Sequence, residues 1–264
     1  MTKLSICIPT YFSSKFIKHS LNTLNKSKIV DEIVISDDSE DEEEFFKTQS
    51  EVQNCITNKK INLVFSNNEK NLGGFHNKYR SVSLANNEFV YLLDSDNIPS
   101  YNSLSYLFKT KLNNLNPNSL YIPSKIFLFK NYKYEYFLDR SKNIKFSNNE
   151  IYINKDFISD KYNHTVHLNK ELDFILNVGN SIFSKSRFLE TLSEGLSINK
   201  DSISAADAVA ISYYYLDDGY DIVVSKFLSH YHRLRDNSYW VTEAKKGNVE
   251  SQTNYFMKNI LDLK

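Results

Sequence analysis

Glycine is scarce in this chain. Six occur in 264 residues, where an average soluble protein of this length carries about eighteen. Collagen-like and glycine-rich low-complexity classes are thereby excluded, and no stretch rich in proline or glycine marks a linker. Cysteine is equally thin. Cys7 and Cys55 cannot build a disulfide framework, and neither stands at metal-ligand spacing, so both are expected to be reduced thiols in apolar surroundings. An excess of either charge is missing too: 32 basic residues balance 32 acidic ones, which argues against a general nucleic-acid binder. No run of eighteen apolar residues exists to span a membrane. Met1 to Leu4 lead straight into a strand-like run without an apolar signal core, so a cytosolic chain is expected. Dinucleotide (GxGxxG), P-loop, HExxH and GxSxG motifs are all absent.

What remains is enough for a core: 41% of residues are hydrophobic and 14% aromatic. LSICIP (Leu4 to Pro9), EIVIS (Glu32 to Ser36), INLVF (Ile61 to Phe65) and FVYLL (Phe89 to Leu93) are short, nearly continuous apolar runs, the pattern of buried parallel strands. Helical stretches lie between them, over Phe16 to Leu24 behind a Ser13-Ser14 cap, over about Asp41 to Cys55, and over Phe75 to Ala85. Such alternation predicts an α/β fold with a mostly parallel sheet, whose ligand lies at the carboxyl ends of the strands. The second half is less regular. Helices are expected at Leu104 to Leu112 and Ala205 to Leu216, strands at Leu120 to Phe129, Tyr132 to Leu138 and Tyr220 to Leu228, an insertion over about 125–170, and a helical tail over 239–264.

Polar motifs sit at the ends of the predicted strands: Pro9-Thr10-Tyr11, Asp37-Asp38 and Asp94-Ser95-Asp96. Two carboxylates one residue apart after a buried strand repel each other, and a hard divalent ion with a diphosphate co-ligand would relieve that repulsion. An ordinary acidic turn is the plain alternative for the motif in isolation. Asp37-Asp38 has two readings, a cap on the acidic helix that follows and an acceptor for a base imide or ribose hydroxyl. Asn71-Leu72-Gly73-Gly74 is a turn before a helix bearing Lys78 and Arg80, cations able to reach a diphosphate or simply to face solvent.

In the order SICIPTY, EIVISDDSE, NLGG, FVYLLDSDN, the chain resembles glycosyltransferase family 2 over about residues 3–100, and more weakly over 172–240. The resemblance implies a GT-A fold and an inverting transferase that uses a nucleotide-sugar donor and a divalent metal, Mn2+ or Mg2+. It implies a nucleotide-sugar-binding half at 1–100, an acceptor-binding and catalytic half at 101–238, and the tail beyond. Pro9, Thr10, Tyr11 and Asp38 then lie by the base, with Gly73, Lys78, Asp94 and Ser95 on the same nucleotide. Asp96 and Asp94 hold the metal. NVGNSIF places Gly179 and Asn180 at the donor sugar, and the element ending in Gly219-Tyr220 makes Asp207 the catalytic base. The family's acidic pair reads Ala206-Asp207 here, and a family histidine falls near Arg235, so His232 is a weaker metal candidate. The implied reaction moves a sugar from a UDP-sugar, or a dTDP-sugar with the same imide, to a glycan or lipid-linked acceptor of a bacterial surface polymer. A sugar-1-phosphate nucleotidyltransferase or a non-catalytic glycan binder are the alternatives. In the tail, Tyr255, Phe256 and Met257 beside Lys258 offer a peripheral membrane contact, a dimer contact or packing on the chain's own domain.

Overall fold

The computed structural model describes residues 3–107, 109, 112–130, 133–139, 147–162, 172–173, 175–204, 206–235, 241, 245 and 248–263. Strands β1 (Leu4–Thr10), β2 (Val30–Asp37), β3 (Asn62–Asn67) and β4 (Phe89–Leu92) are those expected, and they pair in parallel in the order β3-β2-β1-β4. Parallel strands need crossovers, which α1 (Ser14–Leu24), α2 (Glu42–Cys55) and α3 (Gly74–Ser83) supply. Alternate residues of β1 and β2 point to opposite faces, and each face has its own core. Ile6, Ile8, Ile33 and Ile35 pack with Ile17, Leu21 and Leu24 of α1, while Cys7 and Val34 pack with Phe75 and Val82 of α3. Burial on both faces explains why these strands read as unbroken apolar runs.

Beyond β4 the sheet becomes mixed. After β5 (Ile98–Pro99) and α4 (Tyr101–Tyr106) come the long β6 (Ser119–Lys130), β7 (Lys133–Asp139), β8 (Glu150–Ile153) and α5 (Lys155–Tyr162). Then follow β9 (Ser181–Ser184), α6 (Lys185–Thr191), α7 (Asp207–Asp217), β10 (Asp221–Arg233) and α8 (Asn248–Asp262). The full order is β3-β2-β1-β4-β9-β6-β10-β5, with β7 on β6 and β8 on β10, so one sheet runs through both halves of the chain.

Several sequence expectations are corrected. The helix expected at Leu104 to Leu112 starts earlier, as α4, and continues past Tyr106 in π conformation at Leu107 and Lys109, before a 3₁₀ turn at Leu112–Asn114. The last strand runs five residues past Leu228, because β6 pairs with it through Arg233 and β5 pairs with His230 and Tyr231. Ser13 precedes α1 but makes no side-chain cap, and Asp41 rather than Asp37-Asp38 caps α2, accepting from the Glu44 amide at 3.0 Å. Of the expected insertion, β8 pairs with β10 and α5 packs against β8, whereas 131–132, 140–146 and 163–171 lie outside the described residues. Of the tail, α8 is described, with 239–240, 242–244 and 246–247 outside that range. Phe256 and Met257 are buried against α7 and only Tyr255 stays exposed, so the tail's apolar cluster is used within the chain's own domain. Among the described residues no helix is long and apolar enough to cross a membrane.

Candidate active site

Register brings the strand ends together. Thr10 lies beside Asp37, and Asp37 beside Asn67. The Thr10 hydroxyl donates to Asp37 Oδ2 at 2.6 Å, and the Asp38 amide donates to the Thr10 carbonyl at 2.9 Å. Pro9 fits inside β1 because β4 pairs only as far as Cys7, so the missing N–H lies where no strand partner follows. Tyr11 and Phe12 extend past the strand at 48% and 45% exposure with rings 5.0 Å apart, an aromatic lip open to a flat ligand.

Asp38 is buried, and its carboxylate clasps the Asn71-Leu72-Gly73-Gly74 loop. It accepts from the Leu72 amide at 2.7 Å, the Gly73 amide at 2.8 Å and Asn68 Nδ2 at 3.1 Å. Burial pushes its pKa up, and these three bonds and the nearby Lys200 pull it down, leaving it above the ordinary carboxylate value. Lys200 Nζ holds the other side of the loop, donating to the Asn71 carbonyl at 2.6 Å. Gly73 has φ +82°, and a Cβ there would stand 2.3 Å from Ser204 Oγ, so only glycine fits.

The loop after β4 carries Asp94-Ser95-Asp96. The Asp94 amide donates to Asn180 Oδ1 at 2.8 Å, and Asn97 Nδ2 donates to Asp94 Oδ2 at 3.2 Å. Gly179 lies directly against this carboxylate: a Cβ would sit 2.1 Å from Asp94 Oδ2. Gly179 and Asn180 are therefore supports of Asp94. Asn180 is 1% exposed and also lines a small internal cavity of about 10 Å³. Ser95 turns inward, its hydroxyl donating to Ser13 Oγ at 2.8 Å, which leaves it a brace of the loop.

Lys78, buried on α3, joins two acids. Its Nζ is 2.9 Å from Asp207 Oδ2 and 3.4 Å from Asp94 Oδ1. Burial works against its charge, yet Asp207 and Asp94 more than compensate and its pKa is raised. Asp207 opens α7, where the helix dipole favours an anion. Its side chain is 21% exposed. Desolvation raises its pKa, Lys78 opposes that, Asp94 adds to it, and the net shift is upward.

Asp96 lies further along the same loop. Arg235 Nε approaches its Oδ2 to 2.7 Å, too far off line for an N–H···O hydrogen bond but a close ion pair. Burial raises the Asp96 pKa, Arg235 and His232 lower it, Asp94 raises it, and the net shift is upward. His232 lies on β10, with its ring centroid 6.1 Å from that of His230. Lys78 joins Asp94 and Asp207 directly, and Asp96 lies on the same loop with Arg235 as its ion-pair partner. The ion pairs of Arg235 and Lys78, and the hold of Lys200 on the loop, carry no local sequence signal.

Residues 5–156, more than half of the chain, match the family model described as Glycosyl transferase family 2. An abequosyltransferase of Salmonella typhimurium, RfbV, is 31% identical over 107 residues, which cover 39% of this chain and 31% of that protein. An uncharacterized glycosyltransferase of Mycoplasma genitalium, MG060, is 34% identical over 110 residues, 40% of this chain and 36% of that one. The match spans about a third of the length of these curated relatives. Among solved structures, S. aureus TarS 1–349 in complex with UDP-GlcNAc superposes with a TM-score of 0.61 at 20% identity, over 90% of this chain and 60% of that one. The mannosyltransferase PcManGT from Pyrobaculum calidifontis, in complex with GDP-Man and Mn2+, gives 0.58 at 15% identity, over 99% and 68%. At such identities the likeness establishes the fold, which is GT-A. With parallel strand ends carrying the acidic motif and a family match across that whole region, the chain belongs to glycosyl transferase family 2.

Proposed function

We propose that the protein is an inverting transferase that moves a sugar from a UDP-sugar or dTDP-sugar to a hydroxyl of a glycan or lipid-linked glycan, in synthesis of a bacterial surface polysaccharide. It would work in the cytoplasm, at the inner face of the membrane when its acceptor is lipid-linked. The observation that carries the reading is Asp207: a partly exposed carboxylate of raised pKa at a helix N-terminus, joined through one lysine to the first acid of the strand-end motif. The nucleotide sugars bound by the structural neighbours, and the partial likeness to an abequosyltransferase, support a nucleotide-sugar donor.

In this reading Asp207 accepts the proton of the acceptor hydroxyl through the oxygen that Lys78 leaves free. The acceptor oxygen bonds to the anomeric carbon as the bond from that carbon to the diphosphate breaks, and in-line attack inverts the configuration. Lys78 holds Asp207 and Asp94 in one geometry. Tyr11 and Phe12 offer faces for the base, and Asp38, by clasping the 71–74 loop, shapes the floor beneath it while keeping a lone pair for an imide. Tyr231, 41% exposed and stacked on Phe127 at 5.0 Å, is a candidate wall for the acceptor sugar.

The residues fit a divalent cation. Three carboxylates, Asp94, Asp96 and Asp207, gather at this edge, with Lys78 between two of them and Arg235 on the third. Asp94 and Asp96 offer hard oxygen ligands suited to Mg2+ or Mn2+. Among the described residues no group of three or more His, Cys, Asp or Glu could hold a metal alone, so donor phosphates would complete the shell. When bound, such an ion would neutralise charge developing on the leaving diphosphate.

The test is UDP release from a panel of UDP-sugars and dTDP-sugars with Mn2+ and a glycan acceptor. Asp207→Asn is expected to retain donor binding and to lose transfer by roughly 10²–10⁴-fold. Turnover of the variant at the wild-type rate removes the base assignment. Pyrophosphate release from a nucleoside triphosphate and a sugar 1-phosphate would favour a nucleotidyltransferase.

A further inference from the structure

We infer that Arg235 is a built-in counter-ion of Asp96 that competes with the divalent cation for this carboxylate and, once displaced, pairs with the donor diphosphate. The second half of this inference rests on the transferase reading; the first rests on the Arg235–Asp96 geometry and on the fit of Asp94 and Asp96 to a divalent cation.

Arg235 Nε stands 2.7 Å from Asp96 Oδ2. A divalent cation bonds a carboxylate oxygen at roughly 2.0–2.2 Å, and a guanidinium so close to that oxygen would be held within a few ångströms of it. Two such cations on one carboxylate repel, so the binding of one weakens the hold of the other. Arg235 has somewhere to go. Its guanidinium carbon lies 4.7 Å from the centroid of the Phe16 ring, and the Arg233 guanidinium is 5.3 Å from that centroid. Phe16 is thus a greasy pivot shared by two arginines, and a guanidinium can slide across an aromatic face while staying charged and partly desolvated. Arg233 is fixed by contrast: it is 6% exposed, its guanidinium stacks on Phe129 at 4.7 Å, and its amide donates to Asn97 Oδ1 at 3.3 Å. Arg235 is 21% exposed and lies beyond the last residue of β10, at Arg233, so no strand pairing restrains it. A planar fork that leaves a carboxylate suits a diphosphate oxygen pair.

Asp94 and Asp96 are therefore treated differently. Asp94 shares with Asp207 a lysine that is 6% exposed, whereas the arginine on Asp96 is 21% exposed. Arg235 would hold the acidic loop together without ligand and hand Asp96 over when the metal and the nucleotide arrive together.

The test is direct Mn2+ binding to the metal-stripped full chain with no nucleotide, read from the free Mn2+ signal by electron paramagnetic resonance. Arg235→Met is expected to bind Mn2+ roughly tenfold more tightly than wild type, with Arg235→Lys in between, because one competing charge has gone. Asp96→Asn should abolish that gain when combined with Arg235→Met. In calorimetry at saturating Mn2+, Arg235→Met should bind UDP several-fold more weakly than wild type. Mn2+ affinity that is unchanged or weaker in both Arg235 variants, with thermal melts equal to wild type, overturns the competition. Tighter Mn2+ binding with unaltered UDP affinity overturns the second step alone. Absence of any sugar transfer would strike the proposed function while leaving the Mn2+ result intact.

Discussion

Lys78 Nζ lies 2.9 Å from Asp207 Oδ2 and 3.4 Å from Asp94 Oδ1, so one buried cation ties the proposed base to the proposed metal ligand. The arrangement sets the proton affinity of Asp207 from two sides: burial raises it, Lys78 lowers it.

Replacing Lys78 by Met removes the lowering influence. A base must be ionised to act, so activity falls as pH drops through the Asp207 pKa. The acid limb of kcat/KM is expected to move to higher pH in Lys78→Met, and to return most of the way in Lys78→Arg. A pH–rate profile checks this. An unmoved limb in a variant that melts like wild type would show that Lys78 does not tune the base.

Gly179→Ala drives a methyl to about the 2.1 Å position beside Asp94 Oδ2. Overpacking of this kind costs about 1–3 kcal/mol, and the displaced carboxylate should also lose Mn2+-dependent UDP affinity. Thermal melts and calorimetry read the two effects. A variant with wild-type melting and wild-type UDP binding would mean that the loop shifts freely.

Asp38→Asn replaces one acceptor oxygen with an NH2 donor facing backbone amides that also donate. Leu72 or Gly73 is then left unpaired, at a cost of about 1–3 kcal/mol. Hydrogen exchange should accelerate at residues 71–73. If exchange there is unchanged, the loop does not depend on this carboxylate.

Phe256→Ala and Tyr255→Ala separate packing from surface display in the tail. Phe256 is 1% exposed and Tyr255 is 59% exposed. Truncating the first should cost about 3–5 kcal/mol and the second under about 0.5 kcal/mol. Urea denaturation measures both. A neutral Phe256→Ala would reopen the tail as a surface for another molecule.

Much of the donor half was legible in the sequence. Ile6 and Ile8 face one core and Cys7 the other, so both faces are apolar, and an unbroken apolar run is the signature such a strand must leave. Asp94 and Asp96 follow such a run immediately, so their place at the sheet edge needed only local information. Ser95 was harder to read: its inward turn depends on Ser13, a partner on the loop after a different strand. Nothing near Asp38 in the sequence shows its grip on Leu72 and Gly73, which depends on a loop two elements away. The end of β10 is not legible in its own residues, because β6 and β5 extend it from both sides and pairing partners leave no mark in the strand itself.

Composition and local pattern alone determined the α/β class, the parallel donor half and the acids at its edge. These depend on periodicity and burial, which neighbouring residues encode. Only the tertiary structure decided which cation faces which acid: Lys78 between Asp94 and Asp207, Arg235 on Asp96. The physical reason is that Coulomb energy depends on distance and burial in space, and residues far apart in the chain reach 3 Å only once the sheet has assembled.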